Sequence, residues 1–130
     1  MVKVEGIDHV ALAVRDVASS VAWYQQVLGL ERVHEDVWGD YPAMVGTGAT
    51  SLALFPIQAE DPKPPPGKDT VAMRHVAFRA SRSCFEAAHA HLERLGIEFK
   101  SQDHEIAHSI YFLDPDGHEI EITTYEMKVT

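Results

Sequence analysis

Through residues 6–14 apolar side chains alternate with small or polar ones. Val10, Leu12 and Val14 fall on one face and Ile7, His9, Ala11 and Ala13 on the other, the pattern of a strand with one buried face. The period then changes. Asp16 is placed to cap a helix in which Val17, Val21, Tyr24 and Leu28 recur at helical spacing, and Gly29 closes it. Residues 30–38, 41–45 and 50–55 read as three short strands, separated at Gly39-Asp40 and Gly46-Thr47-Gly48. The same order then returns. Residues 72–79 read as a strand, with Val76 and Phe78 opposed to Met73, His75 and Ala77. Ser83-x-x-Glu86 reads as a capping box; Phe85, Ala88, Leu92 and Leu95 follow at helical spacing, and Gly96 ends the helix. Residues 97–101, 109–113 and 118–124 are again three strands, the last two joined at Asp114-Pro115-Asp116-Gly117.

The halves match at particular places. His9-Val10-Ala11 answers His75-Val76-Ala77, and Leu28-Gly29-Leu30 answers Leu95-Gly96-Ile97. A unit that recurs at this length is a duplicated module. The expected fold is α+β: two βαβββ modules forming a cupped mixed sheet around a metal site, within one domain over residues 1–130. Module one spans about residues 4–56 and module two about 71–126. Between them, residues 57–70 form a polar linker with extended character, carrying Pro62 and Pro64-Pro65-Pro66-Gly67. Parity assigns Val10, Leu12, Val76, Phe78, Ile120 and Ile122 to the helix side and His9, His75, Tyr111 and Glu121 to the opposite face. Aligning Gly48 with Gly117 sets Leu52 opposite Glu121; one step of register brings up Ser51 or Ala53 and two steps Leu54, and none of these is a strong ligand.

Composition narrows the partners. With 20 acidic against 11 basic residues the formal charge is −9, which argues against nucleic acid and against an anionic membrane surface. No apolar run approaches a membrane span, and the N-terminal residues lack the apolar core of a signal peptide. Cys84 is the only cysteine, so no internal disulfide and no cysteine zinc site is expected, in keeping with a cytoplasmic protein.

Chemistry enters through Glu121. It stands mid-strand between Ile120 and Ile122, and a buried carboxylate needs a partner. Two imidazoles and a carboxylate on one face are a metal-ligand set, and such a triad with open positions suits non-haem Fe(II) chemistry. We therefore expect a divalent ion on His9, His75 and Glu121. Fe2+ is favoured; Mn2+, Zn2+ and Ni2+ stay open. Of the other histidines, His34, His89 and His91 read as surface and His118 as a turn residue.

Three blocks carry a family resemblance: residues 7–14, beginning Ile7-Asp8-His9; residues 74–78, Arg74-His75-Val76-Ala77-Phe78; and residues 111–121, Tyr111 through Glu121. The chain resembles the vicinal oxygen chelate superfamily, which takes in glyoxalase I, bleomycin-resistance proteins, fosfomycin-resistance thiol transferases and extradiol dioxygenases. The resemblance implies paired βαβββ modules, metal ligands at His9, His75 and Glu121, and a homodimer acting on a small molecule. Glyoxalase I uses a fourth ligand where this chain has Leu52, and the fosfomycin enzymes carry a Thr where it has Ala11. In the extradiol enzymes a Tyr before the Asp-Pro turn corresponds to Tyr111, and a His shortly upstream acts as acid or base; here that is His104 or His108. The expected function is dioxygenase-like chemistry on a substrate chelated through adjacent oxygens, with Tyr111, His104 and His108 as catalytic candidates. A glyoxalase-like lyase or isomerase working through an enediolate, and a metal-free binding or resistance protein, are the alternatives.

Overall fold

The computed structural model describes residues 1–127 and divides the chain into two compact units, Met1–Lys63 and the residues from Pro64 onward. In the first, β1 (His9–Val14) leads into α1 (Val17–Leu28). β2 (Glu31–Val33), the short helix α2 (Glu35–Trp38), β3 (Ala43–Thr47) and β4 (Thr50–Pro56) follow. The sheet order is β1-β4-β3-β2, with β1 parallel to β4 and the other pairs antiparallel. Asp16 caps α1 by accepting from the Ser19 amide at 2.9 Å. That bond and the Ser19 hydroxyl hold its carboxyl below the ordinary value. Gly29 ends the helix at φ 66°, where a side chain would be strained. α1 packs on β3 and β4 through Val17, Val21, Tyr24 and Val27, against Val45, Leu52 and Leu54, all buried.

The second unit repeats the plan. β5 (Val76–Arg79), α3 (Arg82–Arg94), β6 (Lys100–Asp103), β7 (His108–Leu113) and β8 (Glu119–Thr124) form a sheet of order β5-β8-β7-β6. Again the first and last strands pair in parallel. Phe85 and Leu92 of α3 are buried, as are Ile110, Phe112, Ile120 and Ile122 on the sheet. The expected α+β repeat is therefore present, one mixed sheet and its helix in each unit.

Five local expectations are corrected. Residues 34–38 are not strand. His34 adopts φ 61°, which breaks the pleat, and Arg32 fixes the following turn through Glu35 Oε2 at 3.0 Å and the Gly39 carbonyl at 2.8 Å. The cap of α3 is Ser81, accepting from the Cys84 amide, because Glu86 turns instead to Arg82 Nε at 3.1 Å. β5 begins only at Val76, leaving His75 one residue outside its ladder, and β6 begins at Lys100 because Gly96, at φ 70°, still belongs to the helix end.

The fifth correction concerns the counterpart of Glu121. Ala77 pairs with Glu121 across β5 and β8, and its equivalent Ala11 pairs with Ala53 across β1 and β4. Ala53, not Leu52, is therefore the structural counterpart. The glycine alignment slips by one because β3 and β4 join at Thr47 and Thr50, whereas β7 and β8 join through the longer turn between Leu113 and Glu119. Leu52 answers Ile120 instead, and each is a fully buried core residue.

Candidate metal and catalytic site

The longer turn sets up the site. Asp114 Oδ1 accepts from the amides of Asp116 and His118, each at 2.9 Å, and Gly117 takes φ 91°. A Cβ on Gly117 would lie 3.2 Å from Pro65 Cδ, so the proline-rich stretch rests directly on this turn. β8 thus starts from a pinned corner, and its pleat presents Glu119, Glu121 and Thr123 on one face.

Glu121 is buried, its side chain 9% exposed, and both oxygens are engaged. Oε1 lies 3.0 Å from His75 Nε2. Oε2 accepts from Ser109 Oγ at 2.6 Å. Ser109 Oγ also lies 3.0 Å from Thr123 Oγ1, whose hydroxyl reaches the His108 carbonyl. The other nitrogen of His75, Nδ1, lies 3.2 Å from Glu119 Oε1. The imidazole therefore sits between two carboxylates spaced two residues apart on β8. A neutral imidazole has one N–H. If Nδ1 carries it, Nε2 faces Glu121 lone pair to lone pair, and a positive charge must lie between them, as a proton or a metal ion. Two donors 3.0 Å apart share one ion comfortably at ligand distances of about 2.0–2.2 Å. The residues fit a metal on chemical grounds as well, since imidazole and carboxylate both ligate Fe, Mn, Zn and Ni.

Tyr111 stands directly opposite Glu121 on β7. Its ring meets that of His75 edge-on with centroids 5.7 Å apart, and its hydroxyl is 2.8 Å from His104 Nε2. Burial, and after it the charge of Glu121, raise the phenol above its ordinary value of 10.0, so Tyr111 keeps its proton. His104 reaches it from a tight loop: its amide donates to the Ala107 carbonyl at 2.8 Å, and Glu105 takes φ 70°.

His108 goes elsewhere. It pairs with Thr124 on β8 and so shares the face of Ile110 and Ile122, opposite to that of Tyr111; its Nε2 lies 3.6 Å from Asp103 Oδ1. His9 belongs to the first unit, where its half-exposed ring places Nδ1 2.8 Å from Asp8 Oδ2. Among the described residues no three His, Cys, Asp or Glu side chains are grouped as metal ligands. The candidates brought together are His75, Glu121, Tyr111 and His104. Ser109 and Glu119 join them unforeseen, although both are two residues from a candidate on the same strand and face, which was the available signal. An open trough of about 1050 Å³ adjoins, with Tyr111 and Glu119 on its wall beside Phe99, Lys100, Phe112 and Leu113.

Comparison with known proteins identifies the family and the fold. The sequence profile of the Glyoxalase/Bleomycin resistance protein/Dioxygenase superfamily matches residues 6–122. The chain is 31% identical over 118 residues to the glutathione transferase FosA of Serratia marcescens, covering 91% of this chain and 79% of that one. It is 30% identical over 124 residues to the metallothiol transferase FosB of Staphylococcus epidermidis, covering 93% and 84%. A solved structure of a glyoxalase/dioxygenase from Nostoc punctiforme superposes with a TM-score of 0.79 at 28% identity, covering 92% and 90%.

Proposed function

Because the chain belongs to the Glyoxalase/Bleomycin resistance protein/Dioxygenase superfamily, we propose that it is a metal-dependent enzyme of the thiol-transferase kind, acting on a small electrophile that carries ligating oxygens. His75 and Glu121 are two of its metal ligands and His9 the third. The supporting observation is the His75–Glu121 pair, an imidazole nitrogen and a buried carboxylate oxygen 3.0 Å apart. The reaction class comes from the relatives, whose names describe transfer of glutathione and metal-dependent transfer of thiols.

When bound, a divalent cation supplies Lewis-acid polarisation of the substrate oxygens. The protein's own groups do the rest. Ser109 holds the Glu121 carboxylate so that Oε1 keeps its aim. The thiol gives up its proton to His104, its sulfur attacks an electrophilic carbon, a carbon–oxygen bond breaks, and the departing oxygen gathers negative charge. Tyr111, protonated before reaction, donates a hydrogen bond and then its proton to that oxygen, and His104 returns the thiol's proton to the phenol. The trough beside Tyr111 has room for the remainder of a thiol such as glutathione. A homodimer in the cytosol completes the reading, and Cys84, exposed and unpaired with another cysteine, suits a reducing compartment.

One observation favours a second reading. The 2.8 Å bond between Tyr111 and His104 is the acid–base pair that ring-opening dioxygenase chemistry on a vicinal diol requires. The glyoxalase-like alternative lacks a fourth ligand, since the counterpart of Glu121 is Ala53.

The test starts with metal content. Wild type, His9→Ala, His75→Ala and Glu121→Gln are purified, loaded with Mn(II) or Fe(II) and assayed for bound ion. We expect stoichiometric metal in the wild type and loss in each variant; equal content throughout ends the metal reading and leaves the binding-protein alternative. Thiol consumption with glutathione or cysteine and a panel of electrophiles is then compared with oxygen uptake on catechols after anaerobic Fe(II) loading. Metal-dependent thiol loss supports the transferase; metal-dependent oxygen uptake without thiol loss replaces it with the dioxygenase.

A further inference from the structure

We propose that Glu119 is the positioning residue of this site, holding the His75 imidazole in the tautomer that turns an unprotonated Nε2 toward Glu121. The inference rests on the metal reading above. His75 stands one residue before the first ladder pair of β5, at Val76, so the sheet does not fix its backbone as it fixes that of Glu121. Its ring is set by what surrounds it: Glu119 on Nδ1 at 3.2 Å, Glu121 on Nε2 at 3.0 Å, and the edge-on ring of Tyr111. Of the two carboxylates, Glu119 opens β8 directly after the pinned turn. The Asp114 amide donates to the His118 carbonyl and Asp114 Oδ1 accepts from the His118 amide, each at 2.9 Å. Glu119 thus reaches His75 from a fixed start of the strand, while Glu121 is already held by Ser109.

The consequence is electronic as well as geometric. A carboxylate accepting from Nδ1–H leaves Nε2 as the lone-pair nitrogen and raises its basicity as a ligand. The first unit supplies an independent parallel, for His9 Nδ1 lies 2.8 Å from Asp8 Oδ2. The residue at the equivalent place before His75 is Arg74, which cannot accept. In the second unit the carboxylate that His9 takes from its chain neighbour is supplied from across the sheet.

Co(II) titration of wild type, Glu119→Ala, Glu119→Gln and Glu93→Gln tests this, with melting curves to confirm folding. Glu93 also lines the trough and controls for loss of one negative charge. Glu119→Ala is expected to weaken Co(II) binding about 10- to 100-fold. Glu119→Gln should lose less, because the amide oxygen still accepts from Nδ1–H, and Glu93→Gln should match wild type. Nitrogen-15 NMR of the Zn(II)-loaded protein should show Nδ1–H on His75. Unchanged affinity in Glu119→Ala, or Nε2–H on His75 in the loaded wild type, overturns the inference while leaving the metal reading intact. A wild type that binds no Co(II) overturns both.

Discussion

Tyr111 and Glu121 occupy directly opposed positions on β7 and β8, so the phenol and the buried carboxylate share one face at the closest cross-strand distance. Burial and that carboxylate raise the Tyr111 pKa above 10.0. The sign follows: the folded protein favours the neutral phenol, so this contribution is complete below pH 10.0 and is lost as pH rises through the folded-state value. Melting temperatures measured from neutrality into that range should fall more steeply for wild type than for Tyr111→Phe. Parallel curves would refute the coupling. In turnover, Tyr111→Phe is expected to lower kcat by about 100-fold, as for loss of a donor to a developing oxyanion, with metal affinity unchanged.

Ser109→Ala removes the hydroxyl that donates to Glu121 Oε2 at 2.6 Å. A buried carboxylate oxygen left unpaired costs about 1–3 kcal/mol. Urea unfolding should show that loss with an unchanged m-value, and metal affinity should fall, since Oε1 is no longer held. Stability equal to wild type would mean that water takes the place of the hydroxyl.

The register of β1 on β4 separates two similar substitutions. Leu52→Glu buries a charge among Val10 and Val45, its ladder partners, and is expected to cost more than about 4 kcal/mol, the range of severe core lesions. Ala53→Glu projects from the face that Glu121 uses in the second unit and should be the better tolerated of the two. Co(II) spectra should change in Ala53→Glu only; the reverse pattern would restore the glycine-based alignment.

Gly117 combines φ 91° with a Pro65 ring where a Cβ would sit. Gly117→Ala is expected to destabilise by about 1–3 kcal/mol, the cost of a strained backbone position. Adding Pro65→Ala should recover only the steric part. Full recovery in the double variant would place the whole effect in the contact and none in the backbone.

Much of this was legible in the sequence because alternation and helical spacing are local signals. Parity put Glu121 and Tyr111 on one face, and the Asp114–Gly117 turn was evident from its residues. The misses share one physical origin, which is that register and ring partners are set across strands. Counting from Gly48 could not reveal that the two hairpin turns differ in length, so Leu52 came first and Ala53, the true counterpart, stood one register step away. His108 and His104 look alike in the sequence, but one step of parity and the loop at Glu105 send them to different places. Glu119 shares the parity of Glu121, but parity gives it no role, because the reach of His75 depends on where β5 begins.

The paired registers carry a message about divergence. After a duplication both copies start with the same obligations, and the rung of Ala53 and Glu121 is one at which they have parted. Ala53 is 2% exposed and Glu121 7% exposed, so neither position is open to solvent. Selection on the first is selection on volume, and selection on the second is selection on charge. A saturation library should therefore rank substitutions at Ala53 by size and at Glu121 by the ability to carry a negative oxygen. The two halves of one ancestral module would then read as two different fitness landscapes.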